Sequence, residues 1–336
     1  MKRIIPVLLV GVGNRGRWPV ERCRPENGWR TIGLVDRVEE HLAAARTATG
    51  LPAAACFREV EAALAATRPE AMILCTPTVT HVSLVKLGVD RGLAVLVEKG
   101  MAPCWRDAVD LARHVKAVRG VAAVAQNYRY DGISTVVRQA VQGNAAHAIS
   151  APYLIDYVQH RVRPQPRTLT YPFASVWDMS CHHFDNLLDW LGPVAELTAH
   201  GYRASYTPYE HDNNTSAFLR FQNGVSVNYV HTHDASRGSL RIEVHGANGA
   251  FVLRDERAEF SPRPTVNFGV EPATVVPIPA RDSELGVLAD FHAYITGGRE
   301  PGISVQRNLE TMALCEMMVR SIQEKRTVRR EELESV

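Results

Sequence analysis

Three titratable side chains have a spacing that would place them on one face of a helix. Asp178, His182 and Asp185 are separated by four and three residues, and side chains at those separations are neighbours on a helix surface. An imidazole can accept a hydroxyl proton near neutral pH, and a nearby carboxylate can orient the substrate and raise the basicity of the imidazole. The pattern predicts acid–base chemistry on an alcohol. The alternative is structural, with Asp178 as a helix cap and His182 as a packing residue.

A carboxylate and an amine form a second candidate site. Glu98 and Lys99 lie at the end of an apolar run that begins at residue 94 and predicts a buried strand. Ligands of doubly wound sheets bind beyond the carboxyl ends of the strands, where this pair would lie. Lys99 is suited to donate to a substrate oxygen, and Glu98 to hold the lysine or a cofactor ribose. A surface ion pair that caps the strand is the alternative.

A glycine-rich turn follows the first apolar run, residues 4–10. Its G-x-G-x-x-G pattern consists of Gly11, Gly13 and Gly16, with Asn14 and Arg15 before the last glycine. Glycine at these positions permits a tight turn, close approach of the backbone to a pyrophosphate, and close packing of the following helix. The pattern predicts a dinucleotide-binding turn. An ordinary turn between strand and helix is the alternative.

An acidic residue indicates which dinucleotide is bound. Asp36 ends the second predicted strand 20 residues after Gly16, the separation at which an acid meets the adenosine ribose. A carboxylate there favours NAD, because it accepts hydrogen bonds from the ribose hydroxyls and repels a 2′-phosphate. Arg15, Arg17 and Arg37 are cations that can pair with that phosphate. NADP therefore remains open.

The elements around these motifs change character along the chain. Up to about residue 130, short β-branched runs alternate with amphipathic stretches, which predicts parallel strands joined by crossover helices. The predicted strands are residues 4–10, 31–36, 71–76, 94–98 and 121–125, and two of the predicted helices are residues 81–91 and 105–119. We predict an α/β, doubly wound parallel sheet in a domain of residues 1–125.

The remaining residues, 126–336, predict a second domain of α+β class. Strand patterns lie close together here, and Asn223-Gly224 predicts a hairpin turn between two of them. The predicted strands are residues 150–160, 194–204, 216–221, 225–233 and 240–246, and the predicted helices are 132–142, 285–296 and 306–325. We expect a largely antiparallel sheet. The last helices either stay with it or pack back on the first domain.

Further motifs identify a family resemblance. They are C-T-P-T-V-T-H at residues 75–81, Glu98-Lys99, and D-M-S-C-H-H-F-D at residues 178–185. With the glycine turn, they resemble the glucose-fructose oxidoreductase/inositol dehydrogenase (Gfo/Idh/MocA) family over essentially the whole chain. The resemblance implies a Rossmann domain followed by a domain with an open-faced sheet. It also implies NAD(P)-dependent hydride transfer to or from a secondary alcohol of a sugar or cyclic polyol.

The resemblance also assigns residues and an assembly. Lys99, Asp178 and His182 would be the catalytic, substrate-contacting groups. The residues it implies at the cofactor are Thr76, Pro77, His81, Glu98, Lys99 and Asn127, and Arg129 would lie beside the substrate with Tyr128. The open sheet implies a homodimer or homotetramer.

Two positions depart from the family pattern. Gly100 replaces the usual proline after Glu-Lys, which leaves the backbone freer and affects how Lys99 is presented. Ser180 stands where many relatives carry glycine, and because serine is small we expect little consequence.

Substrate identity depends on loop residues. Arg161, Arg163 and Arg167 precede the catalytic helix, where they would either bind a carboxylate or phosphate or be solvated loop charges. Tyr157 and Trp177 would either stack on a sugar ring or pack in the core.

Three other functions compete with a dehydrogenase. A metal site would use a cluster of potential ligands, Cys181, His182, His183 and Asp185 with His231 and His233. We expect no metal, because adjacent residues of a regular helix cannot all face one ion. A non-catalytic NAD(P)-binding sensor is the second alternative. The third is a redox-neutral glycosidase, which would use bound NAD transiently.

Composition favours a small-molecule partner. The chain has 336 residues, 46% of them hydrophobic, which is enough for two cores. Its formal net charge of +2 predicts no binding of nucleic acid or of an anionic membrane. Six scattered cysteines and the lack of an apolar run of roughly 20 residues predict a cytoplasmic protein.

Overall fold

A computed structural model describes residues 2–143, 145–162, 168–264 and 271–333. These residues form two compact units. Residues up to 127 and residues 282–309 form the first unit, and residues 128–281 and those from 310 onward form the second. The sequence placed the boundary two residues earlier and assigned residues 126–336 to the second domain, with the packing of its last helices on the first domain left as an alternative.

The first unit contains a parallel sheet. Its strands are β1 (Ile5–Val10), β2 (Trp29–Val35), β3 (Cys56–Phe57), β4 (Ala71–Leu74), β5 (Ala94–Glu98) and β6 (Ala122–Ala125), in the order β3-β2-β1-β4-β5-β6. Its connecting helices are α1 (Arg17–Arg22), α2 (Glu39–Thr49), α3 (Val60–Ala66), α4 (His81–Asp90) and α5 (Trp105–Ala117). The strand order reverses between β1 and β4, and ligands of doubly wound sheets bind at this reversal. The predicted Rossmann fold is confirmed.

The second unit contains a mixed sheet. After α6 (Gly132–Gln142) and β7 (Leu154–Val162) come α7 (Cys181–Leu191) and the strands β8 (Val194–Tyr202), β9 (Asn214–Phe221), β10 (Ser226–Thr232), β11 (Asp234–Gly246), β12 (Gly249–Arg254), β13 (Arg257–Pro262) and β14 (Thr274–Val276). The sheet order is β14-β13-β12-β11-β7-β10-β9-β8-β15, with β15 at Val328–Arg329. Only β7 and β10 pair in parallel among these strands, which confirms the predicted largely antiparallel sheet.

Two helices complete the described chain. They are α8 (Ser283–Gly297), which belongs to the first unit, and α9 (Val305–Glu324), whose residues are divided between the units. None of the helices in the described part of the chain is long and apolar enough to cross a membrane.

The second sheet has a buried inner face. Tyr157 on β7 lies opposite Tyr229 on β10, and both side chains are almost fully buried. The next inward pair along the strands is Gln159 and His231. Because side chains alternate across a strand, Arg161 projects from this same face. Polar side chains therefore replace aromatic ones toward the end of β7.

The helix α7 begins and ends as local signals dictate. A π-helical turn, Ser175–Ser180, precedes it, so Asp178 lies in that wider turn and His182 lies in regular α-helix. The sequence treated both residues as one α-helix. Gly192 ends α7 with a φ of +81°, a conformation that glycine adopts without a Cβ clash. Glycine followed by proline, as in Gly192-Pro193, is a sequence signal for such an end.

Candidate functional site

Close packing requires the glycines of the turn after β1. A Cβ on Gly16 would lie 1.9 Å from the carbonyl oxygen of Gly11, and one on Gly11, where φ is +80°, would lie 2.7 Å from the oxygen of Cys75. A Cβ on Gly13 would meet the ring of His41 at 2.7 Å. The turn thus lies tightly at the carboxyl ends of β1 and β4, which is where dinucleotide-binding turns meet a pyrophosphate.

Asp36 is tied to this turn. One carboxylate oxygen accepts a hydrogen bond from the Val12 amide at 2.9 Å, and the other accepts from the Val38 amide at 2.9 Å. The His41 Nδ1 atom lies 3.3 Å from the second oxygen. Arg37, in contrast, is 84% exposed. The acid therefore lies beside the turn, where the sequence predicted it, and His41 is a neighbour that no sequence pattern indicated.

We expect Asp36→Ala to shift the choice between dinucleotides. Loss of the carboxylate removes an acceptor for the ribose hydroxyls and the repulsion of a 2′-phosphate, so NADH affinity should fall about tenfold relative to NADPH affinity. Fluorescence titration with both reduced cofactors measures this ratio. Glu40→Ala, at an exposed site in α2, is the control. An unchanged ratio in Asp36→Ala would contradict the assignment.

Glu98 acts as a buried anchor for the glycine turn. Its side chain is almost fully buried, and one carboxylate oxygen accepts from Arg15 Nε at 2.8 Å and from Trp18 Nε1 at 2.9 Å. Its other oxygen accepts from the Lys99 amide at 3.1 Å. These contacts favour a role in positioning Arg15 and Lys99 over direct binding of a ribose. The contribution of Trp18 was not visible in the sequence, because 80 residues separate it from Glu98.

His81 connects two turns of the first unit. It is fully buried, with Nδ1 2.8 Å from the carbonyl oxygen of Gly100 and Nε2 2.8 Å from that of Thr76. Burial lowers the pKa of His81, while the two carbonyls act in the opposite direction. The predicted place of His81 at the border of the cofactor stays a prediction. The ring fixes the turn after β4 against the one that follows Lys99.

Other residues predicted at the cofactor lie at or near the surface of the first unit. Asn14 and Pro77 are exposed, and Thr76 is half-buried. Asn127 Nδ2 donates to Ser283 Oγ at 3.4 Å. Their contacts with a dinucleotide remain predictions.

The candidate base in the second unit is held by an aromatic stack. His182 is 5% exposed, and its ring lies parallel to that of Tyr128, with centroids 4.2 Å apart and planes 11° apart. The Tyr128 hydroxyl accepts a hydrogen bond from Arg161 at 3.0 Å. Asp178 is half-buried one turn before His182. The structure therefore joins the predicted base to a tyrosine and an arginine from outside the helix.

Ser180 is a branch point of a buried network. Its hydroxyl donates to the Ser175 carbonyl at 3.0 Å and accepts from the Tyr229 hydroxyl at 2.8 Å. His231 Nδ1 lies 3.0 Å from the same oxygen, and His183 Nδ1 lies 2.7 Å from the Tyr229 hydroxyl. The expectation that a serine here has little consequence was therefore wrong. Side-chain size was a poor guide, because the hydroxyl links the π-helical turn to the sheet.

We expect His231 to make stability depend on pH. Burial lowers the pKa of His231 well below its usual range, and His183, His233 and Arg161 act in the same direction. The folded state therefore holds His231 neutral, whereas the unfolded chain takes up a proton below about pH 6.5. The stability advantage of the wild type over His231→Leu should shrink by up to about 1.4 kcal/mol per pH unit below that value. Urea unfolding at several pH values measures it, and a constant difference would contradict the prediction.

Arg129 is engaged in a buried ion-pair network. Its guanidinium donates to both carboxylate oxygens of Asp185, at 2.8 and 3.0 Å, and pairs with Asp189. Asp185 is 1% exposed and also lies within hydrogen-bond distance of Thr311. Burial raises the pKa of Asp185, while Arg129 opposes that shift. The predicted placement of Arg129 beside the substrate is not supported, because its donors are used to anchor α7.

Tyr157 packs in the core of the second unit. It is 3% exposed, and its ring lies 5.0 Å from His183, 5.6 Å from Tyr229 and 6.5 Å from Trp190, measured between centroids. Burial raises its pKa above the usual range. Of the two interpretations given for Tyr157, the packing role therefore fits, and stacking on a sugar does not. Trp177 is half-buried.

Two further expectations concern charges and metals. Arg163 and Arg167 lie outside the described residues, whereas Arg161 is half-buried near the end of β7. In the described part of the chain, the side chains close enough together to share an ion are Asp156, Glu243 and His245. The Cys-His-His-Asp cluster considered from the sequence does not form such a group.

Two family models match the chain. Residues 5–126 match the model of an oxidoreductase family with an NAD-binding Rossmann fold, and residues 137–252 match the model of the GFO/IDH/MocA C-terminal domain. The first unit is thus an NAD-binding Rossmann domain.

Named relatives and solved structures extend the comparison. D-apiose dehydrogenase of Paraburkholderia graminis is 27% identical over 97% of this chain and 90% of its own length. Inositol 2-dehydrogenase of Rhizobium meliloti is 26% identical over 95% of this chain and 97% of its own. An oxidoreductase from Agrobacterium radiobacter, solved with NAD+, L-tartaric acid and magnesium, superposes with a TM-score of 0.86 at 19% identity, covering 98% of this chain and 99% of its own.

Proposed function

Because the chain belongs to the GFO/IDH/MocA oxidoreductase family, we propose that it is a dehydrogenase acting on a secondary alcohol of a sugar, sugar derivative or cyclic polyol. The observation that carries the proposal is the stacked imidazole of His182, which follows Asp178 at the junction of a π-helical turn and α7. Interruptions of this kind often occur at functional sites. Relatives named for apiose and inositol oxidation support the substrate class.

The glycine turn fits a dinucleotide cofactor. Neighbouring backbone excludes side chains at Gly11 and Gly16, as expected of a tight glycine turn that holds a pyrophosphate. Asp36 beside the turn supports NAD, with NADP as the alternative. A bound nicotinamide would supply the acceptor for the hydride of the carbinol carbon.

The chain's own residues manage the proton and the developing charge. His182 accepts the hydroxyl proton, and Asp178 orients that hydroxyl and stabilises the protonated imidazole. Lys99, whose amide is fixed by Glu98, donates to the oxygen as it becomes an alkoxide. Tyr128 limits the rotation of the His182 ring by stacking on it.

Location and assembly follow from the same proposal. A small-molecule substrate agrees with the modest net charge of the chain, and a cytoplasmic location agrees with its scattered cysteines. We propose that the outward face of the second sheet forms a homodimer or homotetramer interface. Phe218, which is 49% exposed on β9, is the kind of residue that such an interface would cover.

The decisive test is a paired titration of NADH and NADPH followed by a substrate panel. Polyols, inositols, aldoses and sugar acids are each incubated with oxidised cofactor, and absorbance of the reduced nicotinamide is recorded. Binding with turnover is the expected result. Tight binding without turnover would favour a sensor, and sugar release without reduced cofactor would favour a redox-neutral glycosidase. Failure to bind either cofactor would refute the proposal.

A further inference from the structure

Three buried polar atoms that have no hydrogen-bond partner among the described residues lie on neighbouring positions of the second sheet. They are Gln159 Oε1, Arg161 Nε and His231 Nε2. Gln159 and His231 are directly opposed across β7 and β10, and Arg161 projects from the same face two residues beyond Gln159. Buried polar atoms are nearly always paired in folded proteins. Three such unpaired atoms on one patch of the inner face therefore indicate a polar ligand.

The hydrogen bonds of Ser180 define which kind of atom His231 presents. With the hydroxyl proton of Ser180 on the Ser175 carbonyl, His231 Nδ1 is the donor in its contact with the serine oxygen. Since burial keeps His231 neutral by lowering its pKa, its Nε2 atom carries a lone pair. His231 Nε2 and Gln159 Oε1 are thus both acceptors, and a hydroxylated ligand would supply the matching donors.

Arg161 brings a cation that the described protein does not neutralise. Its one hydrogen bond in the described residues goes to the Tyr128 hydroxyl, and no carboxylate there pairs with it. The sequence contains no acidic residue between Asp156 and Asp178, so its flanking segments offer none either. A partly buried guanidinium without a counter-charge is costly, and an anionic ligand would remove that cost.

The geometry points to a sugar acid as the substrate, with Arg161 binding its carboxylate and Gln159 and His231 accepting its hydroxyl protons. This inference rests on the proposed function and specifies its substrate class. One guanidinium edge matches the two oxygens of a planar carboxylate. Tyr128 connects Arg161 to the candidate base, because its hydroxyl contacts the guanidinium and its ring stacks on His182. A carboxylate bound to Arg161 would therefore be separated from His182 by about the length of the Tyr128 side chain.

Matched substrate pairs test the inference in the wild-type protein. The two members of each pair share the same stereochemistry, and only one of them carries a carboxylate, as in galacturonate with galactose and gluconate with sorbitol. The corresponding sugar phosphates are also tested. We expect kcat/KM for the best acid to exceed that of its neutral partner about 10²-fold. Equal or better turnover of neutral sugars, or a preference for phosphates, would overturn the sugar-acid inference and leave the dehydrogenase intact. Cofactor binding without turnover of any compound would instead count against the proposed function.

Variants assign the preference to Arg161. Arg161→Gln should lower the acid-to-neutral ratio of kcat/KM about 10²-fold. Tyr128→Phe loses the contact with the guanidinium but retains the cation, so that ratio should remain within about threefold of wild type. Arg203→Gln, at an exposed loop position, is the matched control for charge. An unchanged ratio in Arg161→Gln, with NADH binding intact, would refute the role of this arginine.

Discussion

Replacing Lys99 with methionine or His182 with alanine is expected to lower turnover by about 10² or more while leaving NADH binding nearly unchanged. His182 is assigned to accept the hydroxyl proton of the substrate, and Lys99 to stabilise the negative charge that develops on the same oxygen. Both roles are needed only during the reaction. Neither side chain is assigned to the glycine turn, whose geometry depends on Gly11, Gly16 and Glu98. Steady-state kinetics with the best substrate from the panel, together with an NADH titration, measures both parts of the prediction.

The two variants should also differ from each other in pH dependence. His182→Ala should abolish the limb of the kcat profile that reports the base, whereas Lys99→Met should lower the rate and retain that limb. Lys325→Met and His200→Ala, both at exposed positions, are controls for loss of a lysine or a histidine. Near-full turnover in either active-site variant would show that the role given to that residue is incorrect.

Replacing Arg129 with methionine is expected to destabilise the protein by about 3–5 kcal/mol, because it leaves buried carboxylates without their partner. Asp185 is 1% exposed and loses both hydrogen bonds from the guanidinium, and Asp189 loses an ion pair. Methionine retains much of the aliphatic volume, so the loss reports charge more than packing. Urea unfolding measures the change in free energy.

A matched exposed pair separates burial from charge in this experiment. Arg220 pairs with Glu196 on β9 and β8, and its side chain is 57% exposed. Arg220→Met should cost no more than about 1 kcal/mol. If Arg129→Met were as mild as Arg220→Met, the Arg129 network would not be the anchor of α7. Arg129→Lys should recover only part of the loss, since lysine cannot make the bidentate contact.

The sequence alone determined much of the first unit. Alternation of apolar strands with amphipathic helices led to the Rossmann fold, and the spacing from Gly16 to Asp36 placed an acid beside the glycine turn. The end of α7 at Gly192 was equally predictable. These features depend on residues near one another in the chain, where the period of a helix or strand and the freedom of glycine fix the local geometry.

Only the tertiary structure decided which side chains are available to a ligand. Arg129 and Tyr157 have residue types suited to binding sugars, yet Asp185 and the aromatic core engage them. Ser180 seemed inert in sequence and is a branch point, while Arg161 has a buried Nε that no described residue pairs with. The partners of these groups come from strands and helices tens of residues away. Pairing of a polar atom is set by which distant elements pack together, and no local spacing encodes that.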